Sequence, residues 1–372
     1  MTHKVLQLCL STGWGGLEMY PSRIIAELES QGWQVYGAAI AGSSVERSMR
    51  AAGVEVFSCA SRGRALLGVV ALSRFIRRRG ISVVHCHKSS DLRICALLKT
   101  LDPSLRVVFT EHMGVSKPKR DLYHRWAYGR VDQVLAISDA TLARNRRALP
   151  VPSERLARLY QGLDLARHPA ELAAGARCAL RASLGIDEQR VAVGLPGRLT
   201  DGKGHLVWLD ALAGLPAESR IEGLIIGGRE AREGSDVRFV AELDRRIEAL
   251  GLGGRVRFSG FRADLPQVLA ALDIVCVPSR NEAFGLTAIE AMAAGRAVIC
   301  ADAGALPEIV TAHTGLLVGA EDVEGWREAM LALERDPARR AALGAAGRLR
   351  VEQSFELGRH VEALIGYYTG AA

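Results

Sequence analysis

The sequence has few lysines, no Cys-x-x-Cys pair and no long apolar run. Its seven cysteines are odd in number and mostly lie in apolar segments, which indicates reduced core residues and excludes a disulfide framework or a zinc site. No stretch approaches the roughly 18 apolar residues of a membrane-spanning helix, and residues 1–10 are too short an apolar stretch for a signal peptide. We therefore expect a cytoplasmic protein, or one peripheral on the inner face of the cytoplasmic membrane.

Charge is abundant but unevenly distributed along the chain. Of the 372 residues, 24% are charged and 49% hydrophobic, which excludes a disordered or fibrous protein and predicts two domains. Residues 1–170 carry 25 basic and 13 acidic side chains, whereas residues 171–372 carry 23 and 28, so the halves have net charges of +12 and −5. The two halves are expected to meet different partners. Arginine outnumbers lysine strongly, a skew that coding bias also produces and that does not by itself indicate nucleic acid.

Short Val/Ile/Leu runs alternate with helix-like stretches along most of the chain. Such runs, bounded by glycine and proline, are typical of parallel strands buried on both faces. The predicted strands are 5–10, 35–40, 55–59, 83–86, 107–110, 134–137, 191–195, 224–226, 256–259, 274–277, 297–300 and 316–318. They predict an α/β protein with two doubly wound, Rossmann-like domains: 1–170 with a C-terminal helix at about 352–372, and 171–351. Ligands of such sheets bind outside the carboxyl ends of the strands, so we expect the chemistry in an interdomain cleft.

The segment 278–295, PSRNEAFGLTAIEAMAAG, is the strongest local signal. A strand ends, a loop carries Glu282, and a helix begins near Leu286 after Gly285, a residue that permits close backbone approach. The amides at the helix start would form a phosphate site. Glu290 lies about one turn into the helix, and carboxylates accept hydrogen bonds from sugar hydroxyls.

The segment 197–204, GRLTDGKG, directly follows the predicted strand 191–195. It places Arg198, Lys203 and flexible backbone at a strand end, where a diphosphate could lie. A solvated turn before a helix is the open alternative. The segment is not a Walker A loop, because the order G-x-x-x-x-G-K-[ST] is absent.

The first domain offers two further candidates. Gly16 and Glu18 lie in a GGLE motif that follows the first strand and opens a helix; Glu18 stands where a dinucleotide-binding G-x-G-x-x-G loop needs glycine, which weakens that interpretation. His112 follows another strand, where a functional and a structural histidine are about equally expected. His85, Cys86 and His87 are successive residues of a strand region, in which neighbouring side chains face opposite ways, and this disfavours a metal site made of all three.

Taken together and in this order, the motifs resemble those of the family 4 glycosyltransferases of the GT-B fold. The resemblance extends from about Lys4 to Glu352 and is highly specific. It rests on GGLE at 15–18, Gly197-Arg198 with Lys203-Gly204, the E-x7-E element from Glu282 to Glu290, and GALPEIV at 304–310. With the basic first half, the combination most resembles bacterial enzymes of cell-envelope glycans such as lipopolysaccharide core. It implies a transferase that moves a hexose-type sugar from a nucleotide-sugar, such as a UDP-sugar or GDP-sugar, to a saccharide or lipid-linked acceptor.

The resemblance also implies roles for individual residues. Arg198 and Lys203 would bind the donor diphosphate and supply charge to the leaving group. Glu282 would hold hydroxyls of the transferred sugar, and Glu290 would bind the ribose hydroxyls. His112 would orient the donor or the acceptor near the reacting carbon, which makes it, with Glu282, Arg198 and Lys203, a candidate catalytic residue.

Further donor contacts are implied at both domains. Backbone amides around Phe284, Gly285 and Leu286 would meet the sugar and the diphosphate. Phe261 and Arg262 fall where the family contacts the base. In the first domain, Gly16 would lie in the loop that closes over the donor phosphates and the acceptor.

The reaction implied by the resemblance retains the anomeric configuration. It would proceed by same-face attack in which the departing diphosphate accepts the acceptor's proton, with Glu282 as a covalent nucleophile the alternative. The sequence contains no D-x-D motif, the usual carboxylate clamp for a divalent metal. We therefore expect no metal and no other cofactor, with Arg198, Lys203 and a helix N-terminus taking the place of the metal.

Two basic clusters in the first half are candidate acceptor or membrane surfaces. The segment 62–79 has six arginines and no acid, and Arg74, Arg77 and Arg78 lie opposite an apolar stripe. Two interpretations of this segment remain open: an ordinary helix with a solvated face, and a helix that binds an anionic membrane. Lys117 and Lys119, with further basic residues up to position 125, form a second cluster that would suit a phosphorylated saccharide or a lipid headgroup.

Two other functions remain open from the sequence. A nucleotide-sugar epimerase of the GT-B fold would use the same donor site without an acceptor. A non-catalytic basic α/β protein would bind a membrane or nucleic acid and carry a degenerate sugar site. The intact set of Glu282, Glu290, Arg198 and Lys203 disfavours degeneration. The partners expected are therefore a nucleotide-sugar and a glycan or lipid-linked acceptor, not nucleic acid.

Overall fold

The chain divides into two units. The computed structural model describes residues 3–115 and 117–371. Unit 1 comprises Met1–Gly162 and Leu357–Ala372, and unit 2 comprises Leu163–Glu356. The boundaries expected from the sequence lay at 170 and 351.

Unit 1 is built on a parallel sheet of seven strands. They are β1 (His3–Cys9), β2 (Trp33–Ile40), β3 (Glu55–Cys59), β4 (Val83–Cys86), β5 (Arg106–Glu111), β6 (Gln133–Ala136) and β7 (Leu156–Arg158). Their order is β3-β2-β1-β4-β5-β6-β7, and every neighbouring pair is parallel. The strands before β4 extend the sheet to one side of β1, and the strands from β4 onward extend it to the other side, so the strand order reverses between β1 and β4. At such a point the loops leave the strand ends on opposite faces and open a crevice for ligands.

The helices of unit 1 cover this sheet, and the last helix of the chain is one of them. They are α1 (Gly16–Arg23), α2 (Ile25–Ser30), α3 (Ser44–Ala51), α4 (Arg62–Leu67), α5 (Val69–Arg79), α6 (Leu92–Leu101), α7 (Leu122–Tyr128), α8 (Asp139–Ala148) and α17 (Leu357–Thr369). Val361, Leu364 and Tyr368 of α17 are buried in one apolar cluster with Val5 of β1. The end of the chain is therefore part of the core of unit 1.

Unit 2 has a parallel sheet of six strands. They are β8 (Val191–Pro196), β9 (Ile221–Ile226), β10 (Val256–Phe258), β11 (Ile274–Val277), β12 (Ala297–Ala301) and β13 (Leu316–Val318), in the order β10-β9-β8-β11-β12-β13. Its helices are α9 (Ala174–Ser183), α10 (His205–Ala213), α11 (Val237–Ala249), α12 (Leu265–Ala271), α13 (Leu286–Ala293), α14 (Leu306–Ile309), α15 (Val323–Arg335) and α16 (Pro337–Ser354). The order reverses between β8 and β11, so these two strands frame the ligand edge.

The predicted α/β architecture is confirmed, and each predicted strand matches an observed one. The central strands are buried on both faces; every residue of β11, for example, is buried. The edge strands β3, β10 and β13 keep partly or fully exposed residues. β7 was not predicted, because its three residues, LAR, contain no apolar run. It forms because the edge of β6 offers backbone partners, a property of the sheet and not of the segment.

Candidate active site

The loop after β8 is held against the end of β11. Gly204, which precedes α10, has a φ of +74°, and a Cβ at this position would lie 2.1 Å from the carbonyl oxygen of Pro278. No other residue fits so close an approach. The amide of Arg280 also donates to the carbonyl of Gly202 at 3.1 Å. The two loops at the carboxyl ends of these neighbouring strands therefore form one surface.

Lys203 and Glu282 meet on this surface. The Lys203 Nζ donates to Glu282 Oε2 at 2.8 Å, although the residues are 79 positions apart in the chain. Their side chains are 28% and 17% exposed, so both polar heads can still contact a ligand. A cation and a carboxylate at the carboxyl edge can bind the phosphate and the hydroxyl groups of one molecule.

The segment GALPEIV supports the backbone of Glu282. The amide of Ala305 donates to the carbonyl of Glu282 at 2.9 Å. Gly304 has a φ of +61°, and a Cβ there would lie 2.3 Å from the same carbonyl oxygen. This motif therefore fixes the position of Glu282.

Helix α13 begins at this edge. Gly285 precedes it with a φ of +104°, and the first amides of any helix have no intrahelical carbonyl. They are oriented to meet an anion at the strand ends. Phe284 is buried and its ring lies edge-on to that of Phe355 at 6.2 Å, so its side chain packs within unit 2. Leu286 and Glu290 are half-buried on the helix.

The other candidates of unit 2 are more dispersed. Arg198 is exposed and lies beside Gly234, where a Cβ would be 2.8 Å from Arg198 Cδ. Phe261 is 67% exposed and follows β10, which is separated from β8 by β9. Arg262 is bound to Asp264 through two hydrogen bonds of 2.8 and 2.6 Å, which hold the pKa of Asp264 below its ordinary value. Phe261 thus offers an open ring, whereas Arg262 is already engaged.

In unit 1, His112 directly follows β5 and is buried. The Gln161 amide nitrogen lies 3.0 Å from His112 Nδ1, and since an amide nitrogen only donates, Nδ1 accepts and Nε2 carries the proton. His112 Nε2 is buried without a hydrogen-bond partner among the residues the structure describes. Burial, and next the nearby His360, lower the pKa of His112 to about 3. At neutral pH His112 is therefore an uncharged hydrogen-bond donor.

His112 belongs to a buried cluster of four imidazoles around Tyr20. The Tyr20 ring lies 5.1–6.2 Å from the rings of His85, His87, His112 and His360. Tyr20 Oη is 2.7 Å from His360 Nε2. Burial lowers the pKa of every imidazole in the cluster. Within residues 3–115 and 117–371, no group of three or more His, Cys, Asp or Glu side chains is arranged to hold a metal ion.

The GGLE loop carries a polar network that the sequence did not indicate. Ser11 Oγ donates to Glu18 Oε1 at 2.8 Å, and Lys88 Nζ donates to Ser11 Oγ at 2.8 Å. Lys88 follows β4, the neighbour of β1 where the strand order reverses. Lys88 and Gln161 were both missed, since neither stands in a recognisable motif. The signal that could have identified Lys88 is its position directly after a strand at which the strand order reverses.

Gly16 lies in open space, which leads to a prediction. A Cβ on Gly16 would meet no heavy atom within 4 Å. Gly16→Ala should therefore leave the melting temperature unchanged. If the loop approaches a ligand closely, the same change should lower kcat/KM on the order of tenfold. Gly175→Ala, at another helical glycine with open space, is the matched control. Unchanged kcat/KM in Gly16→Ala would remove Gly16 from the site.

The basic segment 62–79 forms two helices, α4 and α5, that meet at Gly68. Arg74, Arg77 and Arg78 are exposed, and two apolar side chains beside them, Leu67 and Val70, are 86% and 50% exposed. Arg62 differs, since its guanidinium is bound to the buried Asp91 at 2.9 Å. No helix of the described residues is both long enough and apolar enough to span a bilayer.

The second basic cluster, at 117–125, also contains both exposed and partly enclosed side chains. Lys117 is exposed. Lys119 Nζ donates to Tyr128 Oη at 3.2 Å and lies 5.6 Å from the centre of that ring. Burial lowers the pKa of Lys119. Lys117 therefore presents its charge to solvent, whereas Lys119 is partly enclosed by the fold.

Comparisons with known proteins agree with this geometry. Residues 14–167 match the model of glycosyltransferase family 4, and residues 177–350 match that of the glycosyl transferases group 1. The chain is 31% identical to the lipopolysaccharide core biosynthesis mannosyltransferase LpsB of Rhizobium meliloti (strain 1021), over 78% of this chain and 80% of that protein. It is 33% identical to the lipopolysaccharide core biosynthesis mannosyltransferase LpcC of Rhizobium leguminosarum bv. viciae, over 82% of both chains.

The fold is shared with solved structures. The Anabaena protein HepE, solved in complex with UDP, superposes with a TM-score of 0.85 at 23% identity, over 99% of this chain and 100% of that chain. The resemblance noted in the motifs is thereby confirmed: the chain belongs to the family 4 glycosyltransferases of the GT-B fold and is a glycosyltransferase.

Proposed function

We propose that the protein transfers a hexosyl group from a nucleotide-sugar to a saccharide or lipid-linked acceptor in lipopolysaccharide core or related envelope glycan biosynthesis. The contact between Lys203 and Glu282 carries this proposal, because it brings a phosphate-binding and a hydroxyl-binding group to one strand edge beside the start of α13. The two core mannosyltransferases support a mannosyl or other hexosyl group. HepE, solved with UDP and with UDP-glucose, supports a nucleotide-sugar donor.

The proposed reaction retains the anomeric configuration. The bond between the anomeric carbon and the diphosphate oxygen breaks, and a bond to the acceptor oxygen forms on the same face. The acceptor hydroxyl proton passes to the departing diphosphate. Lys203, Arg198 and the first amides of α13 stabilise the charge that develops on the leaving group. Glu282 and His112 Nε2 hold sugar hydroxyls, and Glu290 holds those of the ribose.

We propose that this reaction needs no divalent metal. Two basic side chains and a helix N-terminus supply positive charge at the diphosphate, and the sequence has no D-x-D motif. Activity should therefore persist after treatment with EDTA and extensive dialysis. The measurement is nucleoside diphosphate release with and without added Mg²⁺. A strict requirement for Mg²⁺ would contradict this part of the proposal.

We further propose that the protein is cytoplasmic and binds the inner face of the cytoplasmic membrane through α4 and α5. The exposed apolar pair Leu67 and Val70, placed beside exposed arginines, supports this surface. At low salt each basic residue near an anionic surface contributes roughly 1 kcal/mol. Replacing Arg74, Arg77 and Arg78 with glutamine should therefore weaken binding to anionic vesicles by on the order of 100-fold.

Vesicle sedimentation measures this effect. Glutamine at Arg238, Arg245 and Arg335, three exposed arginines of unit 2, is the charge-matched control and should change binding far less. Equal binding of the wild type and the α5 triple variant would indicate that α4 and α5 are ordinary helices with a solvated face and do not bind the membrane.

A donor and acceptor screen tests the proposed function. Nucleoside diphosphate release would be measured for a panel of UDP- and GDP-sugars with extracted envelope glycans. Release that depends on both a donor and a glycan acceptor supports the transferase. Product formation from the donor alone would favour the epimerase, and no release with any pair would favour a non-catalytic basic protein. Neither alternative is favoured by the relatives.

A further inference from the structure

A polar cavity lies in unit 2, at the edge of its sheet where the strands begin. Arg296 directly precedes β12 and Asp273 directly precedes β11, and both line the cavity. Glu282 follows the opposite end of β11. Four strand residues at 3.3 Å each put at least about 13 Å between the two places. The cavity has a volume of about 550 Å³, which suits a small molecule.

Three arginines line this cavity, and backbone carbonyls hold them in place. Arg296 donates to the carbonyls of Ala170, Leu272 and Ala294 at 3.0, 3.3 and 2.9 Å. Arg340 donates to the carbonyl of Leu333 at 2.6 Å. Arg348 donates to the carbonyls of His168 and Ala293 and pairs with Glu352. A carbonyl orients a guanidinium without cancelling its charge.

Among the described residues, the acidic side chains of the cavity form no direct ion pair with Arg296 or Arg340. Asp273 is already bound by Arg177 at 3.1 Å and Arg181 at 3.0 Å, neither of which lines the cavity. Glu171 is exposed at the rim. Across 3–115 and 117–371, neither Arg296 nor Arg340 forms an ion pair. Burial, and then the charge of Arg177, lower the pKa of Arg296, while the charges of Asp273 and Glu171 oppose part of this shift.

The shape of the cavity also favours an anion. The remaining wall is formed by small residues that leave room beside the guanidinium groups: Ala170, Gly295, Ala297, Ala341 and Ala345. We propose that this cavity binds a phosphate monoester of a hydroxyl-bearing small molecule such as a sugar phosphate. Arg296, Arg340 and Arg348 hold the phosphate, and Glu171 accepts a ligand hydroxyl.

The site is distinct from the donor site but touches the same helix. Helix α13 begins at Gly285, and the carbonyls at its other end, Ala293 and Ala294, accept hydrogen bonds from Arg348 and Arg296. A bound phosphate competes with these carbonyls for the same donors. The ligand therefore contacts the end of α13 opposite to the one that faces the donor site.

Calorimetric titration of the full chain with inorganic phosphate and with a hexose 6-phosphate tests the proposal. Phosphate can also occupy the donor site, so Lys203→Ala removes that contribution. We expect the wild type and Lys203→Ala to bind the hexose phosphate equally, and Arg340→Gln to bind it on the order of tenfold more weakly or worse. Arg339→Gln, the exposed neighbour on α16 outside the cavity, should bind normally.

A second variant keeps the test independent of the folding of Arg340→Gln. Ala341→Glu places a carboxylate in the cavity from an exposed helix position and should abolish binding. Absence of saturable binding, loss of binding only in Lys203→Ala, or unchanged binding in both cavity variants would overturn the site. Equal affinity for inorganic phosphate and the hexose phosphate would overturn the assignment of a hydroxyl-bearing ligand.

Discussion

Lys203→Ala is expected to lower kcat/KM at least about 100-fold, with most of the loss in kcat. The Lys203 ammonium lies at the carboxyl edge of unit 2 and would oppose the negative charge that develops on the leaving diphosphate. Arg280→Gln is the matched control. Arg280 is a neighbouring cation on the loop that bears Glu282, but its guanidinium is already paired with Asp201 and lies 3.5 Å from Glu321. Its loss should change kcat/KM less than about threefold.

The ion pair of Lys203 with Glu282 makes a single substitution ambiguous, because removal of the lysine also releases the carboxylate. A double-mutant cycle with Glu282→Gln resolves this. If Lys203 acts on the diphosphate, its removal should cost about as much in the Glu282→Gln background as in the wild type. If it only positions Glu282, the double variant should match Glu282→Gln alone. Near-normal turnover in a folded Lys203→Ala variant would exclude both the diphosphate-binding and the positioning role of Lys203.

Mild acid is expected to unfold unit 1 selectively. His85, His87, His112 and His360 are buried, and burial lowers the pKa of each, to about 3 for His112 and about 4 for His360. In the unfolded chain these imidazoles titrate near pH 6.5. Below that pH the unfolded state binds protons that the folded state does not. The stabilisation is therefore complete above pH 6.5 and is lost as the pH falls toward the folded pKa values.

The expected loss is large. Between pH 7 and 5.5 each imidazole should lower the free energy of unfolding by about 1.2 kcal/mol, and the four together by about 5 kcal/mol. This is a large part of the stability of an ordinary domain. Asp91 and Glu111 oppose part of this loss, since burial raises the pKa of both carboxyl groups. In unit 2 burial lowers the pKa of His205 to about 4, so that unit should lose about a quarter as much stability over the same pH range.

Urea unfolding at pH 7.0 and 5.5 measures this effect, with hydrogen exchange and mass spectrometry assigning each transition to a unit. His87→Asn should reduce the pH dependence if the variant folds. The control is His313→Gln at an exposed site of unit 2, which should leave the pH dependence unchanged. Equal stability of unit 1 at both pH values would show that the cluster titrates normally.

The placement of the proposed donor residues at one sheet edge was largely predictable from sequence. Gly285, Glu282 and Lys203 stand at fixed short distances from apolar runs, and a parallel strand places whatever follows it at the carboxyl edge. The GALPEIV motif was recognised, but its role in supporting the carbonyl of Glu282 appeared only in three dimensions. The engaged state of Arg262 was equally invisible, because Asp264 has many possible partners in the linear sequence.

The contacts that the sequence did not reveal join residues that are far apart along the chain. Gln161 meets His112 across 49 residues, and Lys88 meets Ser11 across 77. The arginine cavity gathers side chains from 170 to 348, in a half whose net charge of −5 predicted no basic surface beyond Arg198 and Lys203. Net charge averages over a segment, whereas a binding site depends on a few charges brought together by packing.

The parallel strands, the α/β architecture with two units and the loops proposed to carry the chemistry follow from local apolar runs and the residues beside them, so they could be predicted from the sequence. Which polar groups face each other, which charges are neutralised and which imidazoles are uncharged became visible only in the folded chain. Those properties arise from burial and from contacts between residues distant in sequence. Thus Lys203 could be identified from its motif, but its contact with Glu282, the protonation of His112 and the arginine cavity required the fold.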